Sequence, residues 1–483
     1  MNIVEPIFTQ CRNKPAEIAL CAPGTALNIV SYGRLERSIN NVCRKVLSFG
    51  LARGSLVAVF IDDDLLHAIV VLALARLGIA SVSGRSKTMP WRFRANAVIA
   101  EKAFPFVAEK IILADAAWIE GEDKPLERKH IHRTRPDEIC RIFLTSGTTG
   151  SEKGIAVTHG NMIDRIARQY FHFGTVGSFS SRIFVDLGLT TSLGFQLLIA
   201  TLWRGGALFL PGEPQATVNA LPIYGVQSLI ASPGGLSDFI GVAEARPQYD
   251  CRLNAIWTGG SSVPAALSER ARMRLCANLT IAYGSTEATM VASTPAQFAA
   301  GLPGAVGYVF PGIEVEIVDE DGTPLPAGRE GNVRIRSKFG ATEYLNDPVE
   351  TARVFRNGWF YPGDVGHLTG ENMLVISGRS SAVLNIGGEK INSERIEEIL
   401  LSHPSVMDAA VLPIMGDLDM EEVCALVVPR SHLDVETLRA HCAGKMADRL
   451  VPVRFIAVAE IPKNETGKID RQKLPELVRG KLN

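Results

Sequence analysis

A hydroxyl- and glycine-rich segment, TSGTTGSEKG (Thr145–Gly154), combines residue types that could bind an anion. Its glycines let backbone N–H groups turn towards a phosphate, and its serine and threonine hydroxyls can donate hydrogen bonds to phosphate oxygens. Lys153 adds a positive charge. The spacing does not match the G-x-x-x-x-G-K-[ST] pattern of a P-loop. Taken alone, the segment is either a phosphate-binding loop or a flexible surface loop.

Further segments of glycines with polar or aromatic residues follow it. They are TGGSS (258–262), AYGSTEA (282–288), WFYPGD (359–364), GRSS (378–381), GGEKI (387–391) and PKNETGKIDR (462–471). Together with TSGTTGSEKG, and in this order, they resemble the motifs of the adenylate-forming superfamily. That superfamily contains acyl-CoA synthetases, carrier-loading adenylation domains and luciferases. The resemblance covers essentially the whole chain.

The resemblance implies that ATP is bound by the first loop and by the ends of later strands. The implied nucleotide-binding residues are Thr145, Ser146, Gly147, Thr148, Thr149, Gly150, Lys153, Gly259, Gly260, Ser261, Tyr283, Gly284, Asp364 and Arg379. Tyr283 would lie against the adenine. Asp364 would accept both ribose hydroxyls, which suits a carboxylate, and Arg379 would contact the ribose or a phosphate.

Three residues are implied in catalysis: Lys468, Thr286 and Glu287. Attack by a carboxylate on the α-phosphate of ATP brings two anions together, so the transition state needs cations. Lys468 would bridge the carboxylate and the α-phosphate, and Thr286 would point at that phosphate. Glu287 would hold Mg²⁺, a hard cation that prefers oxygen ligands. Without the resemblance, Lys468 would be interpreted as an exposed loop lysine and Glu287 as an acid at a helix start.

The implied reaction joins a small carboxylic acid to AMP, releases pyrophosphate and then transfers the acyl group to a thiol. Coenzyme A is favoured over the phosphopantetheine of an acyl carrier protein, because GGEKI is closer to coenzyme A ligases than to the G-[FY]-R-I-E form of carrier-loading domains. The alternative is a stand-alone adenylation enzyme that loads a carrier protein or another nucleophile. A non-catalytic nucleotide-binding relative is the third possibility.

The sequence departs from the family pattern at several positions. Pro362 stands where threonine is usual, Glu152 replaces a proline of the first loop, and Ser381 replaces the aspartate or lysine of the hinge. In the expected acid pocket, LTTSLGF (Leu189–Phe195) has neither histidine nor aspartate, and ASPGG (Ala231–Gly235) adds only small groups. An α-amino acid is therefore disfavoured as the substrate, because its ammonium would lack a counter-charge.

Alternating helix and strand patterns predict an α/β fold. Leu56–Phe60 is predicted as a buried strand, and Asp62–Asp64 follow it at the start of an apolar helix. Acids at a helix start accept hydrogen bonds from free backbone N–H groups, which we favour over a metal site. Residues 1–379 are expected to form a large α/β region of sheets flanked by helices, with a small β-barrel-like part. Residues 380–483 are expected to form a small, mobile α+β domain that carries the catalytic lysine.

The amino-acid composition limits the classes of partner that the protein can be expected to bind. Lys and Arg number 50 and Asp and Glu number 51, so the net charge of −1 disfavours nucleic acid. The eight cysteines are scattered without a C-x-x-C pair, which indicates reduced thiols rather than a disulfide framework, and His130 and His132 lack the cysteine companions of a zinc site. Neither a signal peptide nor a span of membrane length is recognised. We expect a cytoplasmic protein with no membrane partner, in which a homodimer is possible.

Overall fold

The structure is a computed structural model of the 483-residue chain. It describes residues 1–25, 28–84, 94–102, 110–131, 133–146, 152–175, 181–212, 214–246, 253–380, 383–386, 389–415, 421–430, 434–446, 450–463 and 468–479.

The helices of this part of the chain are α1 (Glu5–Asn13), α2 (Tyr32–Ser48), α3 (Asp64–Arg76), α4 (His159–Thr175), α5 (Ser192–Trp203), α6 (Pro214–Ile223), α7 (Pro233–Glu244), α8 (Ala265–Arg274), α9 (Ala296–Ala299), α10 (Pro348–Val354), α11 (Ser393–Leu401), α12 (Val435–Ala443) and α13 (Leu474–Arg479). The first strands are β1 (Ile18–Cys21), β2 (Ile29–Ser31), β3 (Leu56–Phe60), β4 (Ala80–Ser83), β5 (Ala97–Ala100), β6 (Ile111–Leu113), β7 (Ile139–Ser146), β8 (Glu152–Thr158), β9 (Arg182–Asp186), β10 (Ala207–Phe209), β11 (Ser228–Ala231), β12 (Ala255–Gly259) and β13 (Leu279–Ser285). The later strands are β14 (Thr289–Pro295), β15 (Ala305–Val309), β16 (Ile313–Val318), β17 (Gly331–Ser337), β18 (Phe355–Arg356), β19 (Trp359–Phe360), β20 (Asp364–Leu368), β21 (Met373–Arg379), β22 (Val383–Ile386), β23 (Glu389–Asn392), β24 (Val406–Met415), β25 (Glu421–Pro429) and β26 (Arg454–Ala457).

Two large sheets dominate the fold. One is six-stranded, in the order β6-β5-β3-β4-β7-β8, and the other is 15-stranded, in the order β18-β19-β17-β20-β21-β15-β14-β13-β12-β11-β9-β10-β1-β2 with β16 paired to β17. Strands β9, β11, β12 and β13 pair in parallel. The carboxyl ends of parallel strands meet at one edge of a sheet, and loops there commonly bind ligands. The mixed architecture confirms the predicted α/β class.

Helices α3 and α5 are buried almost throughout their length. Neither sequence has a polar face, as expected of a helix enclosed by other elements. Both belong to the largest hydrophobic core, which also includes residues of the six-stranded and the 15-stranded sheets. The two sheets are therefore joined by one continuous core around these helices.

A three-stranded sheet, β24-β25-β26, forms the C-terminal part of the fold. Successive side chains of β25 alternate between two clusters: Val423, Ala425 and Val427 pack with α11 and α12, whereas Cys424, Leu426 and Val428 pack with α13. This period of two is the normal geometry of a strand covered on both faces.

Several predicted elements are confirmed. Strand β3 spans the predicted residues Leu56–Phe60. The side chain of Asp63 caps α3 by accepting a hydrogen bond from the backbone N–H of Leu66, at 2.8 Å, as predicted for an acid at a helix start. Within the described residues, no helix is both long and apolar enough to cross a membrane.

Candidate active site

A cleft with a volume of about 730 Å³ opens at the carboxyl edge of the parallel strands. One group of its lining residues consists of Gly259, Gly260, Tyr283, Gly284, Thr286, Glu287, Arg379 and Lys468. A second group consists of Arg165, Arg168, Gln169, Ser192, Leu193, Gln196, Trp257 and Met290. We call the first group the nucleotide end and the second group the α4 end.

The glycines of the nucleotide end allow the backbone to approach closely. A Cβ on Gly259 would lie 2.1 Å from the carbonyl oxygen of Ala282, and one on Gly284 would lie 2.2 Å from that of Thr289. Gly260 has a φ of +92°, a conformation that L side chains rarely adopt. The exposed Ser261 is not among the residues that line the cleft.

Asp364, Tyr283 and Arg379 form one hydrogen-bonded group. Asp364 and Arg379 are cross-strand partners on β20 and β21, and Arg379 Nε lies 2.9 Å from Asp364 Oδ1. The Tyr283 hydroxyl donates to Asp364 Oδ2 at 2.5 Å. Burial, followed by the Asp364 charge, raises the pKa of Tyr283 well above its ordinary value, so the phenol stays protonated and remains a donor. The predicted adenine and ribose residues thus meet at the same place.

Glu287 is 8% exposed and lines the cleft. The Tyr344 hydroxyl donates to its Oε1 at 2.9 Å, which fixes the orientation of the carboxylate. Mg²⁺ commonly takes one or two protein carboxylates together with substrate phosphates and water. A single buried, oriented carboxylate at the nucleotide end therefore fits Mg²⁺ held jointly with ATP, although the described residues contain no preformed cluster of three or more acidic, histidine or cysteine ligands.

Lys468 lies at the nucleotide end although it is distant in sequence from the other lining residues. Burial and the nearby Arg379 lower its pKa, whereas Asp364, Glu287 and Glu394 oppose that effect. A second contact links the same parts of the fold, because the Ser262 hydroxyl donates to Glu398 of α11 at 2.6 Å. The structure therefore brings Lys468 close to Glu287, Arg379 and Asp364.

Only the two ends of the first loop are described. Thr145 and Ser146 end β7 and pair with Lys153 and Glu152 of β8, whereas Gly147, Thr148, Thr149 and Gly150 lie outside the described residues. Thr145 and Lys153 line the cleft. The Lys153 ammonium donates to Glu350, within a buried ion pair, and lies 5.2 Å from the ring centroid of Tyr344.

Two groups of cleft residues were not predicted from the sequence. The first is Asp186, at the end of β9, whose pKa is raised to about 6 by burial and by Asp238 and Asp64. Its position as the last residue of a largely buried strand was a usable signal. The second group lies on α4, where Arg165, Arg168 and Gln169 line the cleft at helical spacing. Four residues of LTTSLGF also line the cleft, namely Thr190, Thr191, Ser192 and Leu193.

Comparisons with known proteins agree with this geometry. A family model described as AMP-binding enzyme matches residues 7–345, and a model described as AMP-binding enzyme C-terminal domain matches residues 395–468. The 4-chlorobenzoate–CoA ligase of Arthrobacter sp. is 26% identical over 98% of this chain and 94% of its own length. The 2-succinylbenzoate–CoA ligase of Bacillus cereus is 27% identical over 93% of this chain and 94% of its own length.

A solved structure extends the similarity to the whole fold. The amide bond synthetase from Marinactinospora thermotolerans superposes with a TM-score of 0.81 and 25% identity, covering 99% of both chains. These similarities confirm the resemblance to adenylate-forming enzymes and the predicted class of an AMP-forming acid–thiol ligase.

Proposed function

The chain belongs to the AMP-binding enzyme family, and from this premise we propose that it activates an aromatic carboxylic acid as acyl-AMP and transfers the acyl group to coenzyme A. One observation carries the proposal. Lys468, Arg379 and Glu287 line the same cleft as the partly apolar α4 end, and Asp364 lies near Lys468. Such a site can hold a nucleotide and an acid side by side.

At the nucleotide end, we assign adenosine binding to Gly259, Gly260, Gly284, Tyr283 and Asp364. Gly259, Gly260 and Gly284 line the cleft without a side chain, which would leave room for an adenine on the strand ends. Asp364 would accept the ribose hydroxyls, and its bond to Arg379 keeps the carboxylate oriented before the nucleotide arrives. Preorganisation of this kind avoids an ordering cost at the moment of binding.

The adenylation step joins two anions, so the roles of the charged groups follow from electrostatics. The acid's carboxylate oxygen forms a bond to the α-phosphorus while the bond to pyrophosphate breaks. Lys468 would stabilise the developing charge on the α-phosphate and place the carboxylate, as a positively charged donor does in a site shielded from water. Thr286 would donate to the same phosphate. Mg²⁺, held by Glu287 and the phosphates, would neutralise the leaving pyrophosphate.

The apolar lining of the α4 end supports an aromatic acid. Leu193, Trp257 and Met290 face this part of the cleft together with Ile230. A flat tryptophan, two aliphatic side chains and a methionine suit an aryl ring. The named substrates of the two curated relatives, 4-chlorobenzoate and 2-succinylbenzoate, are aromatic acids as well.

For the second step, we propose that residues 380–483 rotate against residues 1–379 to admit the thiol. The contacts of Lys468 and Ser262 described above would then belong to the adenylation arrangement. Ser381, at the proposed hinge, lies outside the described residues. The cytoplasmic location, a carrier-protein partner and a homodimer also stay predictions.

The test measures both half-reactions on a panel of aryl, short aliphatic, fatty and amino acids. We expect acid-dependent exchange of labelled pyrophosphate into ATP without coenzyme A, strongest with aryl acids. Addition of coenzyme A should then release AMP and form a thioester. The absence of exchange with every acid, while ATP still binds, would contradict the proposal.

A second candidate is a stand-alone adenylation enzyme whose acyl acceptor is an amine or a carrier protein. It is favoured by the structural similarity to an amide bond synthetase over the full chain. This enzyme would catalyse the same exchange, but coenzyme A would not accelerate AMP release. An amine or a phosphopantetheine-bearing carrier protein would do so instead.

A further inference from the structure

One carboxylate is shared by two cations at the wall of the cleft. Glu350, on α10, accepts hydrogen bonds from Arg353 Nε at 3.1 Å and from Arg353 Nη2 at 3.0 Å. The ammonium of Lys153, on β8, donates to the same carboxylate within a buried ion pair. Lys153 and Arg353 line the cleft, whereas Glu350 is not among its lining residues. Two positive charges therefore share one negative charge, and it is the two cations that border the cleft.

Arg353 keeps donors that no described residue accepts. Its Nε and Nη2 atoms bind Glu350, whereas Nη1 makes no hydrogen bond to a residue that the structure describes. The Arg353 side chain is 54% exposed, so a ligand in the cleft can reach it. A guanidinium carries five N–H donors in a fixed fork. Because Glu350 holds Nε and Nη2, Nη1 can bind a ligand without breaking the ion pair.

The shared carboxylate is connected to Glu287 through Tyr344. The Lys153 ammonium lies 5.2 Å from the Tyr344 ring centroid, and the Tyr344 hydroxyl donates to Glu287 Oε1 at 2.9 Å. Burial and the Glu287 charge raise the pKa of Tyr344, whereas the Arg353 charge lowers it. The two cations and the carboxylate proposed for Mg²⁺ thus lie around one aromatic side chain, which itself lines the cleft.

A polyphosphate is the ligand that suits this arrangement. An arginine fork matches the geometry of phosphate oxygens, and a lysine supplies a compact positive charge. Mg²⁺ held by one protein carboxylate is completed by phosphates and water. The α-phosphate and the carboxylate of the acid are already assigned to Lys468. The β- and γ-phosphates are therefore the anionic groups that remain for Lys153 and Arg353.

Resting on the proposed function, we propose that Arg353 binds the β- and γ-phosphates of ATP together with Lys153 and then holds the departing pyrophosphate. During adenylation the acid's carboxylate oxygen bonds to the α-phosphorus, and the electron pair of the broken P–O bond stays on pyrophosphate. Negative charge therefore grows on the group that Arg353 contacts, where a cation stabilises the transition state. Arg353 lies in none of the sequence motifs described above.

The experiment compares ligands that differ in these phosphates. Calorimetric titration measures the affinities for a non-hydrolysable ATP analogue and for AMP, and exchange kinetics measure the KM of pyrophosphate and of the acid. In Arg353→Met, the binding of the ATP analogue and of pyrophosphate should weaken about tenfold, the scale for loss of one hydrogen bond to a charged group. The affinity for AMP and the KM of the acid should stay nearly the same, because neither ligand has a β-phosphate.

Two further variants check the cause. Arg353→Lys keeps the positive charge but loses the fork, so its affinity for the ATP analogue should fall less, by about threefold. Should Arg353→Met fail to fold, Arg353→Lys still gives the ratio of ATP-analogue affinity to AMP affinity. Arg270→Met is the matched control, because Arg270 also pairs with a glutamate, Glu244, at 2.6 Å but does not line the cleft. It should keep the ratio of the unmodified enzyme.

The outcomes separate this inference from the proposed function. An equal loss of affinity for AMP and for the ATP analogue would overturn the inference, since Arg353 would then act through the shape of the cleft. A higher KM for the acid with an unchanged KM for pyrophosphate would assign Arg353 to the acid's carboxylate instead. Unchanged values for every ligand would exclude Arg353 as a contact. The two titrations need no acid, so they decide the inference even where a lack of exchange contradicts the proposed function.

Discussion

Lys468 is the residue whose proposed role depends most on the three-dimensional structure. Its segment, PKNETGKIDR, resembles an exposed basic loop when considered by itself. The structure places Lys468 beside Glu287, Asp364 and Arg379, at the nucleotide end of the cleft. Burial lowers its pKa because the ammonium is poorly solvated there. In such a place a positive charge acts on a phosphate more strongly than in water.

Replacement of Lys468 by alanine should lower the rate of acid-dependent pyrophosphate exchange by about 10³-fold, which is the scale for loss of one oriented electrostatic contact in a transition state. The affinity for ATP should stay nearly the same, because adenine, ribose and the remaining phosphate contacts are retained. Exchange kinetics and calorimetric titration with a non-hydrolysable ATP analogue measure the two quantities. Lys473→Ala is the control, since the exposed Lys473 pairs with Asp470 and is not among the residues that line the cleft. Unchanged exchange in Lys468→Ala would refute the role.

Glu287 allows a prediction about the metal. Glu287→Gln keeps the shape of the side chain and an oxygen to accept from Tyr344, but it removes the negative charge. We expect the Mg²⁺ concentration for half-maximal exchange to rise at least about tenfold, since Mg²⁺ prefers carboxylate oxygen. A titration of exchange rate against Mg²⁺ measures the shift. Tyr344→Phe should give a smaller shift, because it only releases the carboxylate from its hydrogen bond. An unaltered Mg²⁺ requirement in Glu287→Gln would exclude Glu287 as a ligand.

At the scale of elements, the parallel strands β12 and β13 carry the glycines that shape the nucleotide end. Gly259→Ala would place a methyl group against the carbonyl oxygen of Ala282, so the free energy of unfolding should fall by about 2–3 kcal/mol. Gly260→Ala meets no atom within 4 Å but carries a φ of +92°, so a loss of about 1 kcal/mol is expected. Urea denaturation measures both changes. An equal or larger loss in Gly260→Ala would contradict the steric account.

Elements with a strong local pattern were predicted well from the sequence. Strand β3 and the capped start of α3 depend on apolar periodicity and on a single acid that binds its own helix start. The ordered glycine motifs also include residues that line the cleft. The polar cleft residues of α4 could not be found in this way. Arg165, Arg168 and Gln169 appear in the sequence as an ordinary polar stretch of a helix, and only the packing of α4 against α5 shows which of them face the cleft.

At the scale of the whole molecule, Glu394 is a titratable group within residues 380–483, the part of the chain that carries Lys468. Burial and the neighbouring Glu397 raise the pKa of Glu394 to about 7, while Arg471 and Arg379 act in the opposite direction and Asp364 adds to the rise. The folded state therefore binds this proton more tightly than the unfolded chain does. Above pH 7 the side chain is ionised and lowers the free energy of unfolding by its full amount. This loss disappears as the pH falls towards the pKa of Glu394 in the unfolded chain, which is near 4.5.

Glu394→Gln should accordingly raise the unfolding temperature relative to the unmodified protein at pH 8, with a gain on the order of 1–2 kcal/mol, and leave it nearly the same at pH 5. Thermal denaturation at a series of pH values measures the difference. Glu436→Gln, in the first turn of α12, provides the control for loss of one negative charge. A rise in the unfolding temperature of Glu394→Gln that is the same at pH 5 and pH 8 would contradict the assigned pKa.

The central claim, that the enzyme cleaves ATP between the α- and β-phosphates to form an acyl-AMP, is tested most directly by the fate of the α-phosphate. The protein is incubated with α-labelled ATP, Mg²⁺ and the best acid of the panel, without any thiol or amine, and the labelled products are separated. The account predicts acyl-AMP bound to the enzyme together with released pyrophosphate, and no acyl-AMP in Lys468→Ala over the same time. Acid-dependent formation of labelled ADP would contradict it.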